Sequence, residues 1–92
     1  SNYQEFLQKT GMSFEQAYKK YYNALHRFIF LRVKDQEIAS DIVSETFVKA
    51  ITNISQYNVY ENENKALFST WLWSVAKNNA REHIKQTKKR PM

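Results

Sequence analysis

Ninety-two residues with one Gly and one Pro make a single small domain, because a chain this short buries only roughly 60–65% of its unfolded surface and has no room for a second core. A hydrophobic content of 42% with fourteen aromatic residues is enough for a globular core and excludes a disordered chain. The lack of any cysteine excludes a disulfide framework and thiolate zinc sites and points to the cytoplasm, and no run approaches the roughly 20 apolar residues of a membrane helix, so no membrane insertion is expected.

No basic-then-apolar secretion signal opens the chain, which makes Asn53-Ile54-Ser55 an accidental glycosylation sequon. The first residues, Ser1 and Asn2 in place of Met, have the pattern of a trimmed end. The net charge of +5 is unevenly spread. Residues 1–64 hold seven basic and eight acidic side chains, a balance of −1. Residues 65–92 hold seven basic ones against Glu82 alone, a balance of +6. The last third is therefore the polyanion-seeking part.

Three stretches carry helical periodicity, and none alternates like a strand or offers an Asn-Gly hairpin turn. The expected fold is all-α, a compact bundle of three main helices with a long loop before the last and a short helical leader at the N-terminus. That leader, residues 1–12, is a frayed turn around Phe6 and Leu7, punctuated by Gly11. The first long helix starts at Ser13, whose hydroxyl caps it while Gln16 completes a capping box. Phe14, Ala17, Tyr18, Tyr21, Leu25, Phe28, Ile29 and Val33 form its inward stripe. Asp35 caps the second helix, which buries Ile38, Ala39, Ile42, Val43, Phe47, Ala50, Ile51 and Ile54. The connection is so short that these two helices are expected to be antiparallel neighbours.

From 55 to about 67 the pattern dissolves into Asn-rich sequence that favours turns, and loops of this length inside small domains are often functional. The third helix then turns Phe68, Trp71, Leu72, Val75, Ala76, Ala80 and Ile84 inward and runs into Lys88, Lys89 and Arg90 before Pro91. Its basic end also complements the negative pole of the helix dipole.

Removing the inward positions leaves two outer faces. On the third helix, Thr70, Trp73, Ser74, Lys77, Asn78, Arg81, Lys85 and Lys88 recur at three and four. Cations for phosphates, an amide and hydroxyls for base edges, and an indole for stacking are the parts of a single-strand binder. Any one lysine here is as well explained by solubility, and Trp73 by partial burial under the preceding loop. The +6 balance favours a nucleic-acid face. On the second helix the leftover face is Glu37, Asp41, Ser44, Glu45, Val48 and Thr52, an acidic patch suited to docking a basic protein. Asp41 and Glu45 lie one turn apart, but neither His26 nor His83 stands in a metal-ligand spacing with them, and no phosphate loop or nucleophile motif is present. No catalytic residue, metal or cofactor is expected, and the chain does not read as an enzyme.

The blocks Asp41-Ile-Val-Ser-Glu-Thr-Phe-Val-Lys-Ala50 and Phe68-Ser-Thr-Trp-Leu-Trp-Ser-Val-Ala-Lys-Asn-Asn-Ala80, with Phe14-Glu-Gln-Ala-Tyr-Lys-Lys-Tyr-Tyr22 before them, resemble region 2 of extracytoplasmic-function sigma factors. The resemblance covers about 13–90. It implies a domain that binds core RNA polymerase and melts the promoter −10 element by capturing the nontemplate strand with one flipped base. It implies docking on the β′ clamp helices through Asp41, Ser44, Glu45, Phe47 and Val48, although periodicity turns Phe47 inward. It assigns the pocket rim to the loop, from Tyr57 and including Lys65, and strand contact to Trp73, Lys77, Asn78 and Arg81, with Thr70, Ser74 and Lys85 on the same stripe. An anti-sigma factor is a further partner of that family.

The sequence departs from the family where Ser74 stands in place of a common Arg, and where Glu61 and Glu63 sit in the loop. The resemblance further implies that residues 91–92 begin a linker to an absent helix-turn-helix domain, so that the chain is a fragment. Two rival readings stand beside it. One is a helical module that binds polymerase or an anti-sigma factor without touching DNA. The other is a helix-turn-helix regulator of intact duplex, for which the dozen-residue loop is too long.

Overall fold

Three helices begin where a side-chain acceptor stands in front of an apolar stripe. The structure is a computed structural model, and it describes residues 1–57 and 68–89. α1 (Asn2–Thr10) opens on a capping box formed by Ser1 and Gln4. α2 (Phe14–Val33) opens on the expected box, with Ser13 Oγ accepting the Gln16 N–H at 3.1 Å and Gln16 Oε1 accepting the Ser13 N–H at 2.9 Å. α3 (Gln36–Thr52) is capped by Asp35, whose carboxylate accepts the Ile38 N–H at 3.0 Å. Caps of this kind contribute about 0.5–2 kcal/mol each. A 3-10 turn, Ile54–Gln56, follows α3, and α4 spans Phe68–Lys89.

Two helices end on left-handed residues that return an N–H to the last turn. Gly11, at φ 76°, donates to the Leu7 carbonyl at 2.9 Å. Lys34, at φ 60°, donates to the Phe30 carbonyl at 2.7 Å. Glycine adopts this conformation freely, whereas a lysine there costs about 1–2 kcal/mol.

Residues 1–12 differ from the expected frayed turn, because α1 is a docked helix. A nine-residue helix is too short to persist in water by itself, and here tertiary contacts hold it. The fully buried Phe6 stands edge-on to Phe14 at 5.7 Å and to Phe68 at 5.1 Å. Lys9 Nζ donates to the carbonyls of Ile54 at 3.1 Å and Ser55 at 3.3 Å. One cation thus ties α1 to the 3-10 turn that closes α3.

The pairing of side chains fixes the directions of the main helices. Phe14 and Tyr18 at the start of α2 meet Phe47 near the end of α3, at 6.1 and 4.8 Å, so α2 and α3 are antiparallel as expected from their short connection. Tyr21 meets Phe68 at 5.9 Å, and further along Phe28 meets Trp73 at 6.1 Å, so α4 runs parallel to α2. Leu25, Ile29, Val43, Phe47, Ile54 and Leu72 are buried between the helices. Tyr18, expected inside, is 36% exposed at the rim of the α2–α3 seam. Trp71, Val75 and Ile84, also expected inside, are half-buried because they flank the buried line of Leu72, Ala76 and Ala80. Among the described residues no helix is long and apolar enough to cross a membrane.

The core contains one polar network. Thr46 and Asn79 are buried. Asn79 Nδ2 donates to Thr46 Oγ1 at 3.0 Å, and Thr46 Oγ1 donates in turn to the Ile42 carbonyl at 2.7 Å. Lys49 Nζ donates to Asn79 Oδ1 and pairs with Glu45 at 3.3 Å. The chain of bonds crosses from the outer face of α3 to the inner face of α4. No buried side-chain nitrogen or oxygen among the described residues lacks a partner.

Candidate nucleic-acid interface

With 3.6 residues per turn, burying Phe68, Leu72, Ala76, Asn79 and Ala80 leaves α4 a single outward ridge. Thr70, Ser74, Lys77, Asn78, Arg81 and Lys85 stand on it, all exposed. Ser74 Oγ donates to the Thr70 carbonyl at 3.1 Å, which turns that hydroxyl back onto its own helix. The structure therefore brings six of the nine residues expected to face nucleic acid onto one surface. Of the other three, two stand elsewhere. Trp73 is half-buried against α2, edge-on to Tyr21 at 6.0 Å and tilted over Phe28 at 6.1 Å. Tyr57 is a correction, since it is only 6% exposed rather than part of an open rim. It packs on Phe68 at 5.8 Å and Trp71 at 5.3 Å. Lys65 lies outside the described residues, as do Glu61, Glu63, the other residues of 58–67, the side chain of Lys88, and residues 90–92.

The ridge runs between two recesses with different chemistry. Toward α2 lies an open cleft of about 520 Å³ lined by Phe28, Ser69, Thr70, Trp73, Ser74 and Lys77. It joins two aromatic walls, three hydroxyls and one cation. Toward α3 lies a cleft of about 310 Å³ in which Asn53, Gln56 and Asn78 offer carboxamides beside Lys49, Ser74 and the Trp71 ring, with the already bonded amide of Asn79 in its wall. Primary amides donate and accept at once, the property needed to read a base edge. Phe28, Lys49, Asn53, Gln56 and Asn79 were missed from sequence. The legible signal was a polar Asn79 falling in the inward register with Leu72 and Ala76.

Burial raises the Tyr57 phenol above its ordinary pKa of 10.0, and the nearby Tyr21 raises it further.

On the other side of α3, Asp41, Ser44, Glu45 and Val48 are exposed, Val48 by 59%. They form the expected acidic patch with an apolar end. Phe47 is corrected away from it. Only 2% exposed, it lies under Phe14 and Tyr18, so its ring supports the patch from beneath. No group of three or more His, Cys, Asp or Glu among the described residues is placed to hold a metal ion.

The domain thus carries a cationic ridge between two clefts on α4 and an acidic patch on α3. Residues 17–90 match the Sigma-70 region 2 family, and the chain belongs to that family. It is 30% identical over 78 residues to the ECF RNA polymerase sigma factor SigM of Bacillus subtilis (strain 168), across 85% of this chain and 44% of that protein. Against the ECF RNA polymerase sigma factor BldN of Streptomyces coelicolor it is 31% identical over 76 residues, 83% of this chain and 27% of that one. It is also similar to the RNA polymerase sigma factor YlaC of Bacillus subtilis, with 30% identity over 64 residues, 70% of this chain and 34% of that protein. The chain thus spans less than half the length of these relatives. No solved structure gave a significant match. The resemblance read from the three sequence blocks is borne out.

Proposed function

We propose that this domain serves transcription initiation by joining core RNA polymerase and holding the nontemplate strand of a promoter −10 element in its melted form. The observation that carries the reading is the α4 ridge with its flanking clefts. Exposed Lys77, Arg81 and Lys85 suit phosphates, and the cleft between Phe28 and Trp73 suits an unstacked base. A base stacked on an aromatic ring contributes about 1–3 kcal/mol, comparable to the few kcal/mol needed to unpair it. Capture of one or two bases therefore offsets opening, and no catalytic group is required. The acidic patch of Asp41, Glu45 and Val48 is the surface we assign to polymerase, where complementary charge would steer a basic partner.

Fluorescence-anisotropy titration of −10-like single strands, scrambled single strands and duplex tests the reading. The wild type is expected to prefer particular single strands, with affinity falling steeply as salt rises. Trp73→Ala is expected to reduce that binding roughly tenfold, by loss of one stacking wall, with its helical circular dichroism retained. Equal binding by both proteins would remove the stacking role. Glu45→Lys is expected to weaken capture by core polymerase while leaving oligonucleotide affinity unchanged. Loss of both together would instead mean a damaged fold.

A further inference from the structure

We propose that the seam between α2 and α4 beyond Trp73 is a phosphate clamp for a nucleic-acid backbone, with Arg32 of α2 as its positioned member. The proposal rests on the nucleic-acid reading above and adds to it a residue from a different helix.

The seam holds a recess of about 320 Å³ lined by Arg32, Lys77, Arg81 and Lys85 over a floor of Ala80 and Ile84. Four cations converge there, and among the described residues no carboxylate lines it. Glu82, the one acid of α4, is not among the lining residues. Elsewhere in the bundle, Lys9, Lys19 and Lys49 each pair with a Glu one turn earlier, at 3.2, 3.4 and 3.3 Å. None of the four clustered cations has such a partner among the described residues. A group of like charges without counter-charge raises the local potential and favours an anion in the recess.

Arg32 is held ready for one. Its guanidinium carbon lies 4.0 Å from the centroid of the Phe28 ring. Stacking uses the face of the guanidinium and leaves its in-plane N–H groups for a forked bond to phosphate oxygens. Lys77, Arg81 and Lys85 follow one another at four-residue intervals, about one helical turn each, so they rise along the seam as successive phosphates would require. Lys77 lines both this recess and the Phe28–Trp73 cleft. A base held in the aromatic cleft therefore continues, through its own backbone, into the clamp. Phe28 serves both halves, as wall of the cleft and as platform for Arg32.

The test uses the whole chain and two probes, a fluorescein-labelled oligothymidylate, which carries phosphates without sequence information, and inorganic pyrophosphate. Arg32→Gln and Lys85→Gln are each expected to lower oligothymidylate affinity about tenfold at low salt. Each should also flatten the slope of log affinity against log salt by about 0.7, the value for one phosphate contact on a single strand. Arg32→Lys should restore the slope without restoring the full affinity, since it keeps the charge and loses the fork. Unchanged affinity and slope in Arg32→Gln would overturn the clamp, as would a loss that appears with one sequence and not with oligothymidylate. If pyrophosphate raises the melting temperature of the wild type and not of Arg32→Gln while both bind the oligonucleotide equally, the ligand is a free phosphate compound and the backbone assignment falls. Weakened binding by Trp73→Ala beside normal binding by Arg32→Gln removes the clamp alone. No binding of any strand by the wild type removes the nucleic-acid reading and the clamp with it.

Discussion

Replacing Phe6 by Ala tests whether the first twelve residues belong to the fold. The ring is fully buried and sits edge-on to Phe14 and Phe68, so its removal loses both transfer energy and packing around a cavity, about 3–5 kcal/mol for a buried Phe. A 92-residue domain has about 5–14 kcal/mol in total. The single change should therefore remove about a fifth or more of the stability and lower the melting temperature by roughly 12–40 °C. Urea unfolding followed by far-UV circular dichroism measures it. The midpoint should fall with the slope retained, as expected when stability changes without a change in the surface exposed on unfolding. Leu7→Ala, one residue on, is the control, since Leu7 is 50% exposed and its loss should stay under about 1 kcal/mol. A Phe6→Ala loss no larger than that of Leu7→Ala would refute the docking of α1 and return residues 1–12 to a frayed leader.

Three further outcomes follow from the same structure. Asn79→Ala removes one of the two partners of Thr46 Oγ1, which keeps the Ile42 carbonyl, and one of the two partners of Lys49 Nζ, which keeps Glu45, and should cost about 1–3 kcal/mol; in a double-mutant cycle with Thr46→Val the losses should fall short of additive, and strict additivity would mean the two residues do not act as a unit. Tyr57 holds its proton above the ordinary pKa of 10.0 when folded, so the folded state keeps a proton that the unfolded chain releases. Its contribution is complete below pH 10 and is lost as pH climbs from there toward the raised folded value. Tyr57→Phe should accordingly flatten the alkaline fall of the melting temperature, and an unaltered pH profile would contradict the burial. Lys34→Gly should relieve the left-handed cap of α2 and stabilise the domain by about 0.5–1 kcal/mol, with a lower melting temperature as the contrary result.

The helices were legible because their signals are local. Ser13 with Gln16, Asp35, and the three-and-four spacing of Leu25, Ile29, Ile42, Val43, Leu72 and Ala76 all act within a few residues. What escaped was set by contacts distant in sequence. The leader reads as a frayed helical turn around Phe6 and Leu7, and Phe6 becomes core only when Phe14 and Phe68 arrive from elsewhere. Tyr57 reads as loop and is buried because Phe68 and Trp71 close over it. The same holds for the surface. Periodicity drew the ridge of α4 residue by residue, since a single helix defines it. The clefts beside it depend on which neighbour lies on each flank, so Phe28 and Arg32 on one side and Asn53 and Gln56 on the other had no sequence signature. Phe47 is the instructive case, where the 3.6-residue pattern was right about burial and the family resemblance pointed to a docking face that the ring underlies.

The Thr46–Asn79 bond also decides a question of register. Leu72, Ala76 and Ala80 recur every turn as small or aliphatic residues, so apolar packing alone distinguishes weakly between α4 in place and α4 slipped by one turn along α3, a displacement of about 5.4 Å. Asn79 is the one polar residue of α4 buried among the described residues, and a slipped helix would leave its amide facing carbon. A single directional bond thus acts as a detent for the whole helix, and buried polar groups are best attested in this indexing role. The distance from the acidic patch on α3 to each rung of the α4 ridge is then a fixed length, so a partner gripping α3 would hold the ridge at a set point along any strand lying on it.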